Sequence, residues 1–312
     1  MALDRRSFLV SLGAGGYQAV LASNSALAAP RAADIPVRRR VAKPPEFFTP
    51  IAPSSADRLI LPKGFTADLV IRWNDPIDAA GDERFGFNND FLAYFPLDAL
   101  QGGSNCFEGL LWVNHEYPDP LFLSGYSKDD YQKRKRKTVA QIEAERAAVG
   151  GCILHVKQER SAWKPVIGSR FNCRFSAKGP MIGFSGPAAA LRSEARGTLA
   201  NCSGGRTPWF TALSCEENYP DYNASDPAPG EGYRWGDAPG MALDERDYGW
   251  IVEIDPFGEL PPIKHTALGR FKHENAAVTL AKDGRLVVYM GDDEADQHLY
   301  KYVSAEPLPK DA

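Results

Sequence analysis

From about Leu59 onward the chain is a succession of short apolar runs with turn residues between them. Most of these runs are too short for a helix and are rich in Val, Ile, Phe, Tyr and Trp, the residues that fill a pleated, half-buried surface. The pattern commits residues 59–312 to an all-β domain. Before it, residues 29–58 are rich in Pro, Ala and Arg, lack a period and read as an extended lead-in. One segment breaks the rule. Residues 138–149 place Val139, Ile142 and several alanines on one side and end at Gly150 and Gly151. They are predicted to form one short helical insertion with a glycine C-cap. The basic run 133–137 just before it has no interleaved aromatics and reads as solvated surface.

Two internal similarities sharpen the architecture. Residues 151–157 and 163–166 form a strand, a turn and a second strand, and so do residues 249–255 and 260–263; each unit leads to an Arg-Phe pair, Arg170-Phe171 and Arg270-Phe271. In addition, three apolar strands run into acids: Leu110 onward into Glu116, Trp209 onward into Glu216 and Glu217, and Leu286 onward into Asp292, Asp293 and Glu294. Repeated strand-turn-strand units with functional ends suggest a β-propeller, whose inner strands converge on one axis. A β-sandwich is the alternative.

The N-terminus carries Arg5 and Arg6 before an apolar stretch, 8–21, and a small-x-small site at Ala26-Leu27-Ala28. This is the layout of an export signal over residues 1–28, and the arginine pair points to the twin-arginine machinery as a partner and to a periplasmic or secreted destination. The formal net charge of -4 gives no reason to expect nucleic acid, and no apolar stretch is long enough for a transmembrane anchor.

Gathering carboxylates in one place is costly unless cations neutralise them. Three acidic strand ends on a propeller axis would offer hard oxygen ligands suited to calcium or magnesium. Successive side chains of a strand face opposite ways, so one member of each pair, Glu216/Glu217 and Asp292/Asp293, is expected to face an ion and the other to look elsewhere. Glu274 stands in an otherwise apolar run, where a carboxylate wants a cation. The stretch 201–209 holds Cys202, then Gly204 and Gly205, which allow a close backbone approach before Pro208 and Trp209 enter a strand. Cys202 is readable as a metal ligand, as a nucleophile served by His115 or His273, as a buried thiol, or as a disulfide partner of Cys215. The five cysteines are an odd number, so at least one thiol stays free. Arg206, Arg270 and Lys272 are candidates to hold a phosphate.

Four ordered motifs carry a resemblance: residues 112–116 (WVNHE), 201–209 followed by Cys215-Glu216-Glu217-Asn218, 269–274 (GRFKHE), and 288–294 (VYMGDDE) followed by 299–302. Together they resemble the PhoX family of secreted alkaline phosphatases. The resemblance implies a six-bladed propeller with a cofactor of Fe3+ and Ca2+ ions. It implies Cys202 and Glu274 as iron ligands, Glu217 and Asp293 as further ligands to the cluster, and Glu116 as another. It implies hydrolysis of phosphate monoesters, with metals neutralising the phosphoryl oxygens and a metal-bound oxygen attacking in line. The family also carries an Arg-Pro-Glu motif that this sequence lacks, so the propeller is expected to be C-terminally truncated here. Two alternatives stand beside the phosphatase: a degenerate member that binds metal without catalysis, and a calcium-dependent propeller hydrolase such as a lactonase, which needs no cysteine ligand.

Overall fold

In this computed structural model the structure describes residues 48–223 and 233–309. The export-signal residues 1–28 and most of the lead-in lie outside the described residues. The chain divides between Leu69 and Val70 into two compact units. The described part of the first, residues 48–69, has no regular element, and Phe48 meets Phe65 edge to face at 5.8 Å.

The second unit is mostly β and is built from three sheets that do not close on one another. The first holds β1 (Asn89–Pro96), β2 (Glu108–His115), β3 (Gly150–Glu159), β4 (Ala162–Pro165) and β5 (Cys173–Phe175), all antiparallel, with β4 and β5 paired to different parts of β3. The second holds β6 (Met181–Ser185), β7 (Glu194–Arg196), β8 (Asn201–Arg206), β9 (Ala212–Glu216), β10 (Ile251–Ile254) and β11 (Ile263–His265), in the order β7-β6-β11-β10-β9-β8, with β6 and β11 parallel. The third is the meander β12 (Ala277–Leu280), β13 (Arg285–Gly291), β14 (Leu299–Pro307). Alternation fixes the packing. Ala93, Phe95, Leu110, Trp112 and Ile153 of the first sheet meet Ile182, Ala212, Val252 and Ile254 of the second in one core. Leu213, Cys215 and Ile251 meet Leu286, Val288 and Met290 of the third in another. Each fully buried Leu, Ile or Phe here contributes about 1.5–3 kcal/mol.

The strands of the expected repeats are present, with one boundary moved: the second strand after β10 begins at Ile263, because Asp255 accepts hydrogen bonds from the main chain of Phe257, Glu259 and Leu260 and curls that segment into a turn. The helical insertion between β2 and β3 is three helices rather than one: α1 (Pro120–Ser124), α2 (Lys128–Gln132) and α3 (Val139–Ala148). Thr138 and Gln141 form a capping box at the start of α3, and Ser127 and Asp130 form another on α2. Gly150 opens β3 at φ 103, and a Cβ there would lie 2.0 Å from the Phe175 carbonyl oxygen, so a close strand approach demands the glycine. Val139 faces solvent, whereas Ile142 and Glu145 face inward. The basic run is not wholly solvated either: Lys137 is 3% exposed and pairs with Glu145 at 2.6 Å. Glu145 also accepts from Trp235 Nε1 at 2.8 Å and Ser124 Oγ at 2.7 Å, which satisfies a charge that would otherwise be costly inside the protein.

Candidate metal centre

The strand β8 lies at an edge of the second sheet and runs beside β1 and β2 of the first sheet and β12 of the third. The strand expected to begin at Pro208-Trp209 lies instead on either side of them: residues 201–206 are themselves β8, and Thr207–Thr211 is the turn into β9. The two glycines let it press against its neighbours. A Cβ on Gly204 would lie 2.2 Å from the Leu213 carbonyl oxygen, and one on Gly205 would lie 1.9 Å from that of Ala276.

Cys202 sits near the start of this strand, 9% exposed. Its main chain is held by Asn114 of β2, whose Nδ2 donates to the Cys202 carbonyl at 2.7 Å and the Ser203 carbonyl at 3.0 Å, while its Oδ1 accepts from Trp112 Nε1 and Ser214 Oγ, each at 2.7 Å. Ser203 N donates to the Glu274 carbonyl at 3.1 Å, and Glu274 N donates to Gly291 at 3.2 Å, so Glu274 is laced between β8 and the end of β13. Glu217 N donates to Ala200 at 2.9 Å, and Glu116 N to Asn88 at 2.9 Å. Both acceptor residues have left-handed backbones, which turns the acid-bearing segments inward at the ends of β9 and β2.

These constraints bring one thiol and four carboxylates together. The ligand atoms of Asp90, Glu116 and Cys202 lie within 4.8 Å of one another, and so do those of Cys202, Glu217 and Glu274. Cys202 Sγ stands 3.5 Å from Asp90 Oδ2 and 3.6 Å from Glu274 Oε2. Asp293, more exposed, stands beside Glu217 and raises its proton affinity. Burial and mutual repulsion drive protons onto the group. Glu116 is pushed up to about 7, by burial first and then by Asp90. Glu217 is pushed up to about 8, by burial first, then by Asp293 and Glu274. The Cys202 thiol is pushed far up by burial and by Glu116, Glu217, Glu274 and Asp90. Among the described residues no ion pair links Asp90, Glu116, Glu217 or Glu274 to a Lys or Arg; the neighbouring Lys272 pairs with Glu294. A thiol set among repelling carboxylates is a donor set that fits cations: a soft sulfur for a transition metal, and hard oxygens for calcium.

The expected candidates Cys202, Glu116, Glu217 and Glu274 thus lie in one place, with Asp293 at the margin. The other members of the acidic pairs look elsewhere. Glu216 is fully buried against Lys264 Nζ at 2.6 Å, and Asp292 accepts from Lys272 N at 3.3 Å. The two arginines considered for phosphate are otherwise engaged. Arg206 stands at the opposite end of β8, donates to the Tyr94 carbonyl at 3.1 Å and lies over Phe95 and Phe210. Arg270 donates to the carbonyls of Tyr248 at 2.9 Å and Glu245 at 2.5 Å and lies over Tyr219. Neither histidine considered as a base attends Cys202. His115 Nε2 meets Cys152 Sγ at 3.3 Å, and His273 Nε2 meets the Gly269 carbonyl at 3.1 Å. Cys202 and Cys215 are both free thiols, so the disulfide alternative does not hold. Asp90 escaped the sequence reading because it opens a strand rather than closing one; its signal is an acid directly after the turn-forming pair Asn88-Asn89.

A family model described as alkaline phosphatase PhoX matches residues 47–312. Among solved structures, a similar chain is that described as Pseudomonas fluorescens PhoX in complex with vanadate, a transition state analogue: 31% sequence identity and a TM-score of 0.68, over 84% of this chain and 51% of that one. The chain thus spans about half the length of that solved relative. No curated protein matches it. On the extent of these matches, the chain belongs to the PhoX alkaline phosphatase family.

Proposed function

We propose that the protein hydrolyses phosphate monoesters at a metal cluster held by Cys202, Glu116, Glu217, Glu274 and Asp90, with Asp293 at its rim. The observation that carries this reading is the convergence of a buried thiol with four carboxylates that lack ion-pair partners, in a chain of a phosphatase family. The vanadate bound by the solved relative is described as a transition-state analogue, which fits a site built for a phosphoryl group. Iron would sit at Cys202 and Glu274, and calcium on the outer oxygens. Bound cations would supply charge neutralisation for a phosphoryl group and a Lewis acid for its hydrolysis. The chain's own residues do the rest. Asn114 fixes the carbonyls of Cys202 and Ser203, and so the direction of the thiol. The left-handed turns at Asn88 and Ala200 aim Glu116 and Glu217 at it.

In the same reading the three sheets are blades of a propeller, since β1, β8 and β12 are edge strands that lie side by side. The substrate meets the protein in the periplasm, after export by the twin-arginine machinery that Arg5 and Arg6 would engage. Among the described residues no helix is long and apolar enough to cross a membrane. A second reading is metal binding without catalysis, and it is favoured by the engagement of Arg206 and Arg270 away from the cluster. One experiment separates the two: the purified 312-residue chain is loaded with iron and calcium, its metal content measured, and phosphate release from a monoester followed. Metal with turnover supports the phosphatase. Metal without turnover leaves only the binding reading, and absence of metal removes both.

A further inference from the structure

The two acid-bearing turns beyond β2 and β9 share a detail. Directly after each glutamate comes a polar residue, Tyr117 after Glu116 and Asn218 after Glu217. These two residues meet. Asn218 Nδ2 donates to Tyr117 Oη at 2.6 Å. Tyr117 follows Glu116 directly, so this bond ties the turn after β9 to the residue next to the Glu116 carboxylate. The arrangement is braced from behind. The Tyr117 ring stacks on Tyr233 at 6.3 Å, Tyr233 packs on Tyr222 at 4.8 Å, and Tyr222 Oη donates to the Glu116 carbonyl at 2.8 Å. On the Asn218 side, Tyr219 N donates to the Glu217 carbonyl at 3.0 Å and closes the turn.

The strands behind these turns belong to different sheets, so no ladder fixes one turn against the other. The carboxylates are like charges whose oxygens lie within 4.8 Å of the shared thiol sulfur, and they repel. Asn114 already ties β2 to Ser214 of β9 and to the Cys202 and Ser203 carbonyls of β8. Beyond the strands, at the acid-bearing turns, the Asn218–Tyr117 bond joins the two side chains that follow the glutamates, beside the Tyr222 bond to the Glu116 carbonyl.

Resting on the reading that this cluster binds metal, we propose that Asn218 and Tyr117 are positioning residues: a hydrogen-bonded clamp that sets the spacing between the Asp90–Glu116 half and the Glu217–Glu274 half of the cluster. Tyrosine suits the role because its ring is stiff and reaches far with two side-chain torsions. The clamp acts through the ligands and touches neither metal nor substrate. Partners of this kind are typically worth about 10–100-fold in metal affinity.

The test uses the full chain and two substitutions that spare the fold, Tyr117→Phe and Asn218→Ala, alone and together. Tyr117→Phe keeps the stacked ring and removes only the hydroxyl. Co2+ is titrated in, read by the thiolate-to-cobalt absorption that Cys202 would give, and Ca2+ binding is followed by calorimetry. Each single variant is expected to bind about 10–100-fold more weakly and to show a shifted cobalt band. The double variant is expected to be no weaker than the worse single one, because both remove the same bond. The melting temperature of the metal-free protein should hardly move. Unchanged titrations in Tyr117→Phe overturn the clamp, and so do single losses that multiply in the double variant. If the unsubstituted chain gives no thiolate band, or if Cys202→Ser binds cobalt as the unsubstituted chain does, the metal reading itself falls and the clamp with it.

Discussion

Around Glu253 the polar groups close on one another; around Cys202 they do not. Glu253 accepts from Trp209 Nε1 at 2.7 Å and Thr211 Oγ1 at 2.5 Å, and its other oxygen meets His265 Nε2 at 2.6 Å. His265 Nδ1 in turn meets Ser185 Oγ at 2.9 Å. Glu, His and Ser in a line have the composition of a hydrolase triad, but the same line recurs in another sheet. His155 meets Glu108 through Nε2 at 3.2 Å and Ser169 through Nδ1 at 2.9 Å. A constellation repeated with the same ring nitrogens in two sheets is a fastening of the fold. The Cys202 group has no such closure: carboxylates face carboxylates, and the thiol contacts are long, at 3.5 and 3.6 Å. The difference teaches that residue composition does not mark a working site here. What marks it is whether buried donors and acceptors are already satisfied.

The largest expected effect lies on the open side of the comparison. On the proposed iron cluster and phosphatase activity, Cys202→Ser should abolish the thiolate-to-metal colour, remove iron and lower activity by on the order of 100-fold or more, because a hydroxyl is a poor substitute for a thiolate on iron. Retained iron, by elemental analysis, would show that the thiol is only a buried group. On the closed side, Glu253→Ala strands the donors of His265, Trp209 and Thr211, and should destabilise the fold by about 3 kcal/mol in a denaturant titration while metal affinity stays the same. Lost metal affinity with intact stability would erase the distinction.

Acid and base sharpen the comparison further. In the chelated protein Glu116 and Glu217 keep their protons up to about 7 and about 8, whereas the unfolded chain releases them near the ordinary value of 4.5. The folded state therefore binds more protons across that window, and stability should fall as pH rises from about 4.5 to about 8. Glu253 is held below its ordinary value, against the burial that opposes it, by His265, Thr211 and Trp209. Its contribution is present above the ordinary carboxylate range and is lost as pH falls. Urea midpoints across pH should show the alkaline loss flattened by Glu217→Gln and by added metal. A slope unchanged by either would deny that these carboxyls are crowded. The smallest effect is expected at the repeat: Ser169→Ala should cost about 1 kcal/mol with no change in metal content. A loss of activity without a loss of stability there would make the constellation catalytic after all.

Much of this was legible in the sequence where the cause is local. The strand ends at Glu116, Glu217 and Asp293 stood out because an apolar alternation breaks into acids within a few residues. Alternation also said that Glu216 and Glu217 part ways. Which of them turned to the cluster depended on Lys264, 48 residues further on, and no pattern around Glu216 announces that partner. Asp90 and the Asn114 brace were hidden for the same reason, since their partners on β8 come from another sheet. The helices α2 and α3 carried readable start signals, Ser127 with Asp130 and Thr138 with Gln141, and the single-helix expectation overlooked the first. Gly204 and Gly205 announced a close backbone approach, but not that they lie inside the strand, because glycine more often punctuates than continues one.

That close approach gives Gly204 and Gly205 a place in the mutational landscape. In a saturation library scored for folded protein, Gly102 and Gly240 should accept small side chains at the modest strain of their positive φ, since a Cβ there meets nothing within 4 Å. At Gly204 and Gly205 the obstacle is backbone oxygen at 2.2 and 1.9 Å, which cannot swing aside as a side chain can. Even alanine should be depleted at both positions. The strand that carries Cys202 would then drift least over evolutionary time at two residues that have no side chains.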